Sequence, residues 1–245
     1  MSRFKMTDEV LATTSSDQGY ATASSDFLFV IDCTATMQWV LDTICQNLKM
    51  LVAIFGQEKL RMRYGVLEFR DRKYARGESS KERALEFHEF KDSKFTDSVE
   101  EIGSALSSLV AEGGGPPKES VLDALKHAVE DPDWRDDATR VVVLFTDALP
   151  YTPDVEVRDW EEAIDIIEES QIDMLHMVIP VEHHKQYEKL RLAQTKDGED
   201  LPGELLPLGA STEDSERLRK VLEGIGYSSG RQAAMNNAKK GFRGT

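Results

Sequence analysis

Apolar positions along this chain follow two rhythms in turn. Phe27-Leu28-Phe29-Val30-Ile31 is an unbroken apolar run, rich in β-branched and aromatic residues, that leads straight into Asp32. Such a run predicts a strand buried on both faces. From Met37 the spacing changes: Met37, Val40, Leu41, Ile44, Leu48, Leu51, Val52 and Phe55 recur at three- and four-residue steps. That spacing predicts a helix with one apolar face, with Thr36 placed to cap its start and Gly56 to stop it. Residues 61–70 read as a second strand, 71–82 as a charged connection, and Leu85, Phe87 and Phe90 as part of an edge strand. Val99, Ile102, Leu106, Leu109 and Val110 mark a second helix, with Thr96 and Asp97 as its start signals. The strongest backbone punctuation is Glu112-Gly113-Gly114-Gly115-Pro116-Pro117, after which Val121, Leu122, Leu125, Ala128 and Val129 set a third helical face. Residues 140–147, Arg-Val-Val-Val-Leu-Phe-Thr-Asp, read as a second fully buried strand that ends in an aspartate, Asp147. A helix beginning at Trp160, strands over 172–180 and 204–208, and a last helical face at Leu218, Val221, Leu222 and Ile225 complete the pattern. The polar stretch 183–203 has no clear period.

Strands alternating with helices predict an α/β fold: an open, largely parallel sheet with helices on both faces. At 245 residues the chain can bury a substantial core. The expected organisation is a polar, mobile lead-in over 1–25, one domain over 26–227, and a disordered tail over 228–245. The tail holds four basic residues and no acidic one, against a formal net charge of -15 for the whole chain. This acidity argues against general binding to nucleic acid or an anionic membrane, because phosphate would be repelled. Two cysteines, Cys33 and Cys45, make no disulfide framework and point to a reducing compartment. With neither an apolar leader nor a membrane-length apolar run, the expected location is the cytoplasm.

Two aspartates that each end an apolar strand draw attention to the carboxyl edge of the sheet, where ligands of open α/β folds sit. Asp32 and Asp147 brought side by side would repel, and one would take a proton unless a cation lay between them. Thr34 and Thr36 follow Asp32 at alternate positions and add neutral hydroxyl oxygens. An all-oxygen set of this kind suits Mg²⁺ or Mn²⁺. The glycine run at 113–115 gives a backbone able to approach such a site closely. His183-His184 reads as solvated loop histidines, and Trp39, Trp134 and Trp160 as packing residues.

The segment Asp32-Cys33-Thr34-Ala35-Thr36-Met37 resembles the Asp-x-Ser-x-Ser loop of von Willebrand factor type A domains, with threonine at both hydroxyl positions. Thr146-Asp147-Ala148-Leu149-Pro150 is similar to that family's later metal loop, and Gly113-Gly114-Gly115 followed by Glu119 to its middle loop. Gly65-Val66-Leu67-Glu68-Phe69-Arg70-Asp71 is similar to its second strand. The resemblance covers roughly 26–226. It implies a Rossmann-like, mostly parallel sheet with one antiparallel edge strand and helices on both faces. It also implies a metal-ion-dependent adhesion site, with Thr34 and Thr36 on the metal through their hydroxyls and Asp32 and Asp147 holding it directly or through water. One departure stands out: Pro116 occupies the position where the family offers a side-chain oxygen, so either water, Glu119 or Glu112 fills it or the metal affinity is lower. The implied function is a non-enzymatic protein-interaction module that takes a carboxylate of a partner protein onto the metal, within an intracellular assembly. The alternative is a phosphohydrolase of the haloacid dehalogenase type using Asp32. There Thr34 replaces the second aspartate, and the general acid is lost.

Overall fold

The computed structural model describes residues 23–57, 61–74, 84–113 and 117–243. Its main sheet holds β1 (Ser24–Asp32), β2 (Arg61–Phe69), β3 (Leu85–Phe87), β5 (Ala138–Phe145), β7 (Met174–Pro180) and β8 (Leu205–Leu208), in the order β3-β2-β1-β5-β7-β8. All neighbours run parallel except β3, which lies antiparallel on the β2 edge. β4 (Lys118–Glu119) and β6 (Leu149–Pro150) form a separate short parallel pair. The helices are α1 (Gln38–Gln57), α2 (Val99–Ser108), α3 (Val121–Glu130), α4 (Trp160–Ser170), the single turn α5 (His184–Tyr187) and α6 (Ser215–Arg243).

Side-chain alternation along β1 sorts the helices into two layers. Phe27, Phe29 and Ile31 pack into one core with Leu41 and Ile44 of α1, Ile102 of α2 and Leu222 of α6. Leu28 and Val30 face the other core, with Leu122 and Leu125 of α3 and Ala163 and Ile167 of α4. A central strand buried on both sides needs this uninterrupted apolar run. Gly65 in β2 answers a different demand: a Cβ there would lie 2.8 Å from the Lys94 carbonyl and 2.9 Å from Leu28 Cδ1.

β1 starts at Ser24, before the apolar run, so the ordered fold reaches back into the expected lead-in; residues 1–22 lie outside the described residues. The polar start is tolerated because its groups are paired. Asp26, fully buried, accepts from Arg63 Nε at 2.9 Å and Nη2 at 2.8 Å, and from the Arg135 backbone N–H at 2.9 Å and Nε at 2.8 Å. Ser25 Oγ donates to the Thr139 carbonyl at 2.9 Å. A buried carboxylate is sustained by such charge-assisted pairing.

The tail is the larger correction. Residues 228–243, expected to be disordered, continue α6 as helix. Ser229 and Ala233 are each 1% exposed, and Asn236 donates to Thr139 Oγ1 at 3.2 Å and to Asp173 Oδ1 at 3.1 Å. The buried stripe of α6 changes there from Leu218, Leu222 and Ile225 to small residues, so it carries no apolar signal although it packs closely on the sheet. Two sequence-predicted boundaries also move. Thr36 lies inside a 3₁₀ turn, Ala35–Met37, that precedes α1, with Thr34 at its cap position. β5 ends at Phe145, which puts Asp147 in the following loop.

Candidate functional site

The parallel register sets the centre of the carboxyl edge. Ile31 pairs with Phe145, so the residues that follow, Asp32 and Thr146, come side by side as β1 and β5 end. Asp32 is fully buried and gripped from both loops. Thr34 Oγ1 donates to Asp32 Oδ1 at 2.7 Å, and the Thr34 backbone N–H to the same oxygen at 3.0 Å. Thr146 Oγ1 donates to Oδ2 at 2.7 Å and itself accepts from the Ala148 N–H at 3.1 Å. Beneath this loop the buried Tyr187 hydroxyl donates to the Ala148 carbonyl at 2.7 Å. The middle loop is stitched to the first: the Glu112 N–H donates to the Cys33 carbonyl at 3.0 Å and the Ala35 N–H to the Gly113 carbonyl at 3.4 Å. Gly113, at φ +75°, turns the chain there in the left-handed region that glycine favours. Arg70 Nη2 donates to the Val110 carbonyl at 2.8 Å and holds the same loop against the end of β2.

Asp32 and Thr34 are thus brought together. Thr36 is exposed on its turn, and Asp147 is half-buried, close enough for its charge to act on Asp32, Glu119 and Tyr187. Gly114, Gly115 and Pro116 lie outside the described residues. Two participants were not among the ligands assigned from sequence. Thr146 belongs to the loop singled out there, but its role depends on the β1–β5 register. Glu119, weighed there only as a substitute for the side chain missing at Pro116, is 3% exposed, and its Oε2 has no hydrogen-bond partner among the described residues.

The electrostatics follow from burial. Desolvation pushes the Asp32 carboxyl up to about 6, against the hydroxyl hydrogen bonds that favour its charged form, and the Asp147 charge pushes the same way as burial. Glu119 rises to about 9, first through burial and then through the negative charges of Asp32, Asp71, Asp147 and Asp154. Asp71 is itself engaged: Oδ1 accepts from the Lys73 N–H at 2.9 Å and Oδ2 from the Tyr151 hydroxyl at 3.0 Å. The crevice therefore concentrates acidic groups, and burial with their mutual repulsion favours the protonated form of Asp32 and Glu119.

The donor set is carboxylate and hydroxyl oxygen, which fits a hard divalent cation. Among the described residues no three His, Cys, Asp or Glu side chains converge in a way that could hold a metal ion. A cation here would accordingly draw on Asp32 and Asp147 with hydroxyls and water, beside a Glu119 Oε2 that has no hydrogen-bond partner among the described residues.

No family model and no curated protein matches the chain. Solved structures do. Proximal thread matrix protein 1 from the mussel byssus aligns with a TM-score of 0.55 at 14% identity, over 85% of this chain and 47% of that one. The pilus adhesin SpaC from Lactobacillus rhamnosus GG aligns with a TM-score of 0.54 at 11% identity, over 86% of this chain and 31% of that one. The chain spans less than half the length of either neighbour. At these identities the likeness defines the fold: a six-stranded, mostly parallel α/β sheet with one antiparallel edge strand and helices around it. No helix among the described residues is long and apolar enough to cross a membrane.

Proposed function

We propose that the chain is a von Willebrand factor type A domain serving as a non-enzymatic protein-interaction module, and that a divalent cation at its carboxyl edge receives a carboxylate from a partner protein. The observation that carries this reading is the Asp32 carboxylate, fully buried yet clasped by hydroxyls from two different loops, in a crevice with a surplus of acidic groups. Asp32 and Asp147 would hold the cation, with Thr34 and Thr36 as neutral oxygen donors. When bound, Mg²⁺ or Mn²⁺ would supply positive charge open to one further anionic oxygen. The protein's own part is to fix Asp32 through Thr34 and Thr146 and to repel a free carboxylate elsewhere by the acidity of its surface. The matrix protein and the adhesin that share the fold are compatible with an interaction role. Both cysteines are free, which fits the cytoplasm as the working compartment. The phosphohydrolase alternative would lack its general acid, since Thr34 stands where that group belongs.

Calorimetric titration with Mg²⁺ and Mn²⁺ tests the site. One cation should bind the wild-type chain, and Asp32→Ala should lower the affinity by about a hundredfold, the loss of one charge-bearing ligand. Equal binding by both proteins would remove the cation from this crevice.

A further inference from the structure

Among the described residues, the outer face of α6 is left exposed. Its inner stripe, Leu218, Leu222, Ile225, Ser229 and Ala233, is buried on α1 and the sheet. On the opposite side Tyr227 is 42% and Met235 56% exposed, with the exposed Arg231 one turn from each. Lys239, Lys240 and Arg243 follow on the same helix. Residues 228–245 carry four positive charges and no negative one, so the rest of the chain carries -19 of the total -15. An exposed aromatic and a methionine with the exposed Arg231 between them, on a body this acidic, make a face complementary to the protein's own surface.

The strongest complement lies in the other layer. Glu161, Asp165 and Glu169 are exposed at four-residue steps along α4, forming a single negative stripe. α4 packs in the core on one side of the sheet and α6 in the core on the other. One copy cannot bring its own two faces together, whereas two copies can. We propose that the outer face of α6 docks onto the acidic face of α4 in a second copy of this chain. Because the two faces differ and lie on opposite sides of the sheet, the contact is head-to-tail and leaves one face of each kind free, so it adds further copies, as a ring or an open chain, instead of closing as a symmetric dimer. Tyr227 and Met235 supply the apolar part of the contact, and Arg231 opposite Asp165 and Glu169 sets its register.

Salt decides when this contact forms. Two copies of net charge -15 repel at long range. At 0.1 M salt the screening length is about 10 Å, which damps that repulsion and spares contacting charges, while at 1 M it is about 3 Å and the contacts weaken as well. Sedimentation velocity on the full chain is the test. At 0.1 M NaCl the average mass should rise above 27.6 kDa with protein concentration, and it should return to 27.6 kDa at 1 M. Arg231→Glu alone, and Asp165→Lys with Glu169→Lys alone, should each weaken association by about tenfold. An equimolar mixture of the two variants should restore it, because each then presents the other's complement. All these residues are exposed, and unchanged melting temperatures would confirm that the variants fold. EDTA should leave the association unchanged, which separates this contact from the cation site. A wild-type chain that stays at 27.6 kDa throughout, a closed dimer indifferent to the α4 variant, or a mixture that fails to recover would each overturn the proposal.

Discussion

Glu119 has the most consequential environment of any single residue in the fold. An acid whose pKa in the folded protein lies above its ordinary value stabilises the fold fully below that ordinary value, and the contribution is lost as pH rises through the folded one. For Glu119 that window runs from 4.5 to about 9, and Asp32 adds to it between 3.8 and about 6. Metal-free protein should therefore lose stability steadily on the alkaline side, by at most about 1.4 kcal/mol per pH unit for each titrating group. Glu119→Gln removes the larger contribution. It should melt several degrees above wild type at pH 8, match it near pH 4, and show a flatter profile by calorimetry between them. A variant with the wild-type pH profile would mean that Glu119 is not charge-frustrated. At this scale the sequence was legible where a residue announces itself locally: Asp32 closes an apolar run and is followed by hydroxyls at alternate positions. Thr146 was obscure because its partner is 114 residues away in sequence and meets it only through strand register. The exposure of Thr36 was equally hidden, since alternate spacing after Asp32 does not reveal a 3₁₀ turn.

The elements show where periodicity informs and where it fails. The apolar runs of β1 and β5 and the three- and four-residue steps of α1 and α3 were readable because their buried faces are made of large apolar side chains. The end of α6 was not, because Gly226, Ser229, Gly230 and Ala233 can line a buried stripe without raising the local hydrophobicity. A chain ending at Tyr227 should consequently be destabilised. It would uncover the sheet surface beneath Ser229 and Ala233 and leave Asp173 and Thr139 without their Asn236 donor. A loss of about 3 kcal/mol, seen as a fall of about 6–12 °C in melting temperature, is the expected result. An unchanged melting temperature would show that the packed end of α6 adds nothing. A second element-scale device joins α3 to the loop after β6. Arg72 Nη1 lies 2.6 Å from Asp123 and 2.7 Å from Glu156, and His127 bridges Glu156 at 3.1 Å and Asp131 at 2.7 Å. Burial opposes charge on His127, but its hydrogen bonds to Asp131 and Glu156 outweigh it and raise the imidazole above 6.5. Burial likewise opposes the Glu156 charge, yet His127, Lys126 and Arg72 hold that carboxyl down at about 2. The histidine contribution is full below 6.5 and is lost as pH rises through the folded value; the glutamate contribution is full above 4.5 and is lost as pH falls toward 2. His127→Ala should therefore reduce the melting temperature more at pH 5.5 than at pH 9, and an effect of equal size at both would deny the imidazolium its role.

At the scale of the whole molecule, topology turns two distant loops into one crevice inside an acidic surface. Strand alternation was enough to foresee the parallel sheet, but it could not supply the neighbour order that places β1 between β2 and β5. That order decides which loops meet. It also gives the proposed partner contact its selectivity. With a net charge of -15, the molecule repels an approaching carboxylate over most of its surface, and a bound cation at the crevice would be the exception. A charge-assisted contact formed there gains strength as water is excluded. Thr34→Ala isolates this effect. It deletes the 2.7 Å hydroxyl bond to Asp32 but keeps the 3.0 Å backbone bond, and it changes a loop residue, so the fold should lose only about 1 kcal/mol. The same change removes a neutral cation ligand and frees Asp32 to turn. Cation affinity and partner affinity should then fall together, by about tenfold or more. The measurement is capture of protein partners by the wild-type chain in Mg²⁺, repeated in EDTA and with Thr34→Ala. A partner retained equally in all three conditions would show that recognition uses another face, while one lost in EDTA but held fully by Thr34→Ala would keep the cation and take Thr34 out of its coordination.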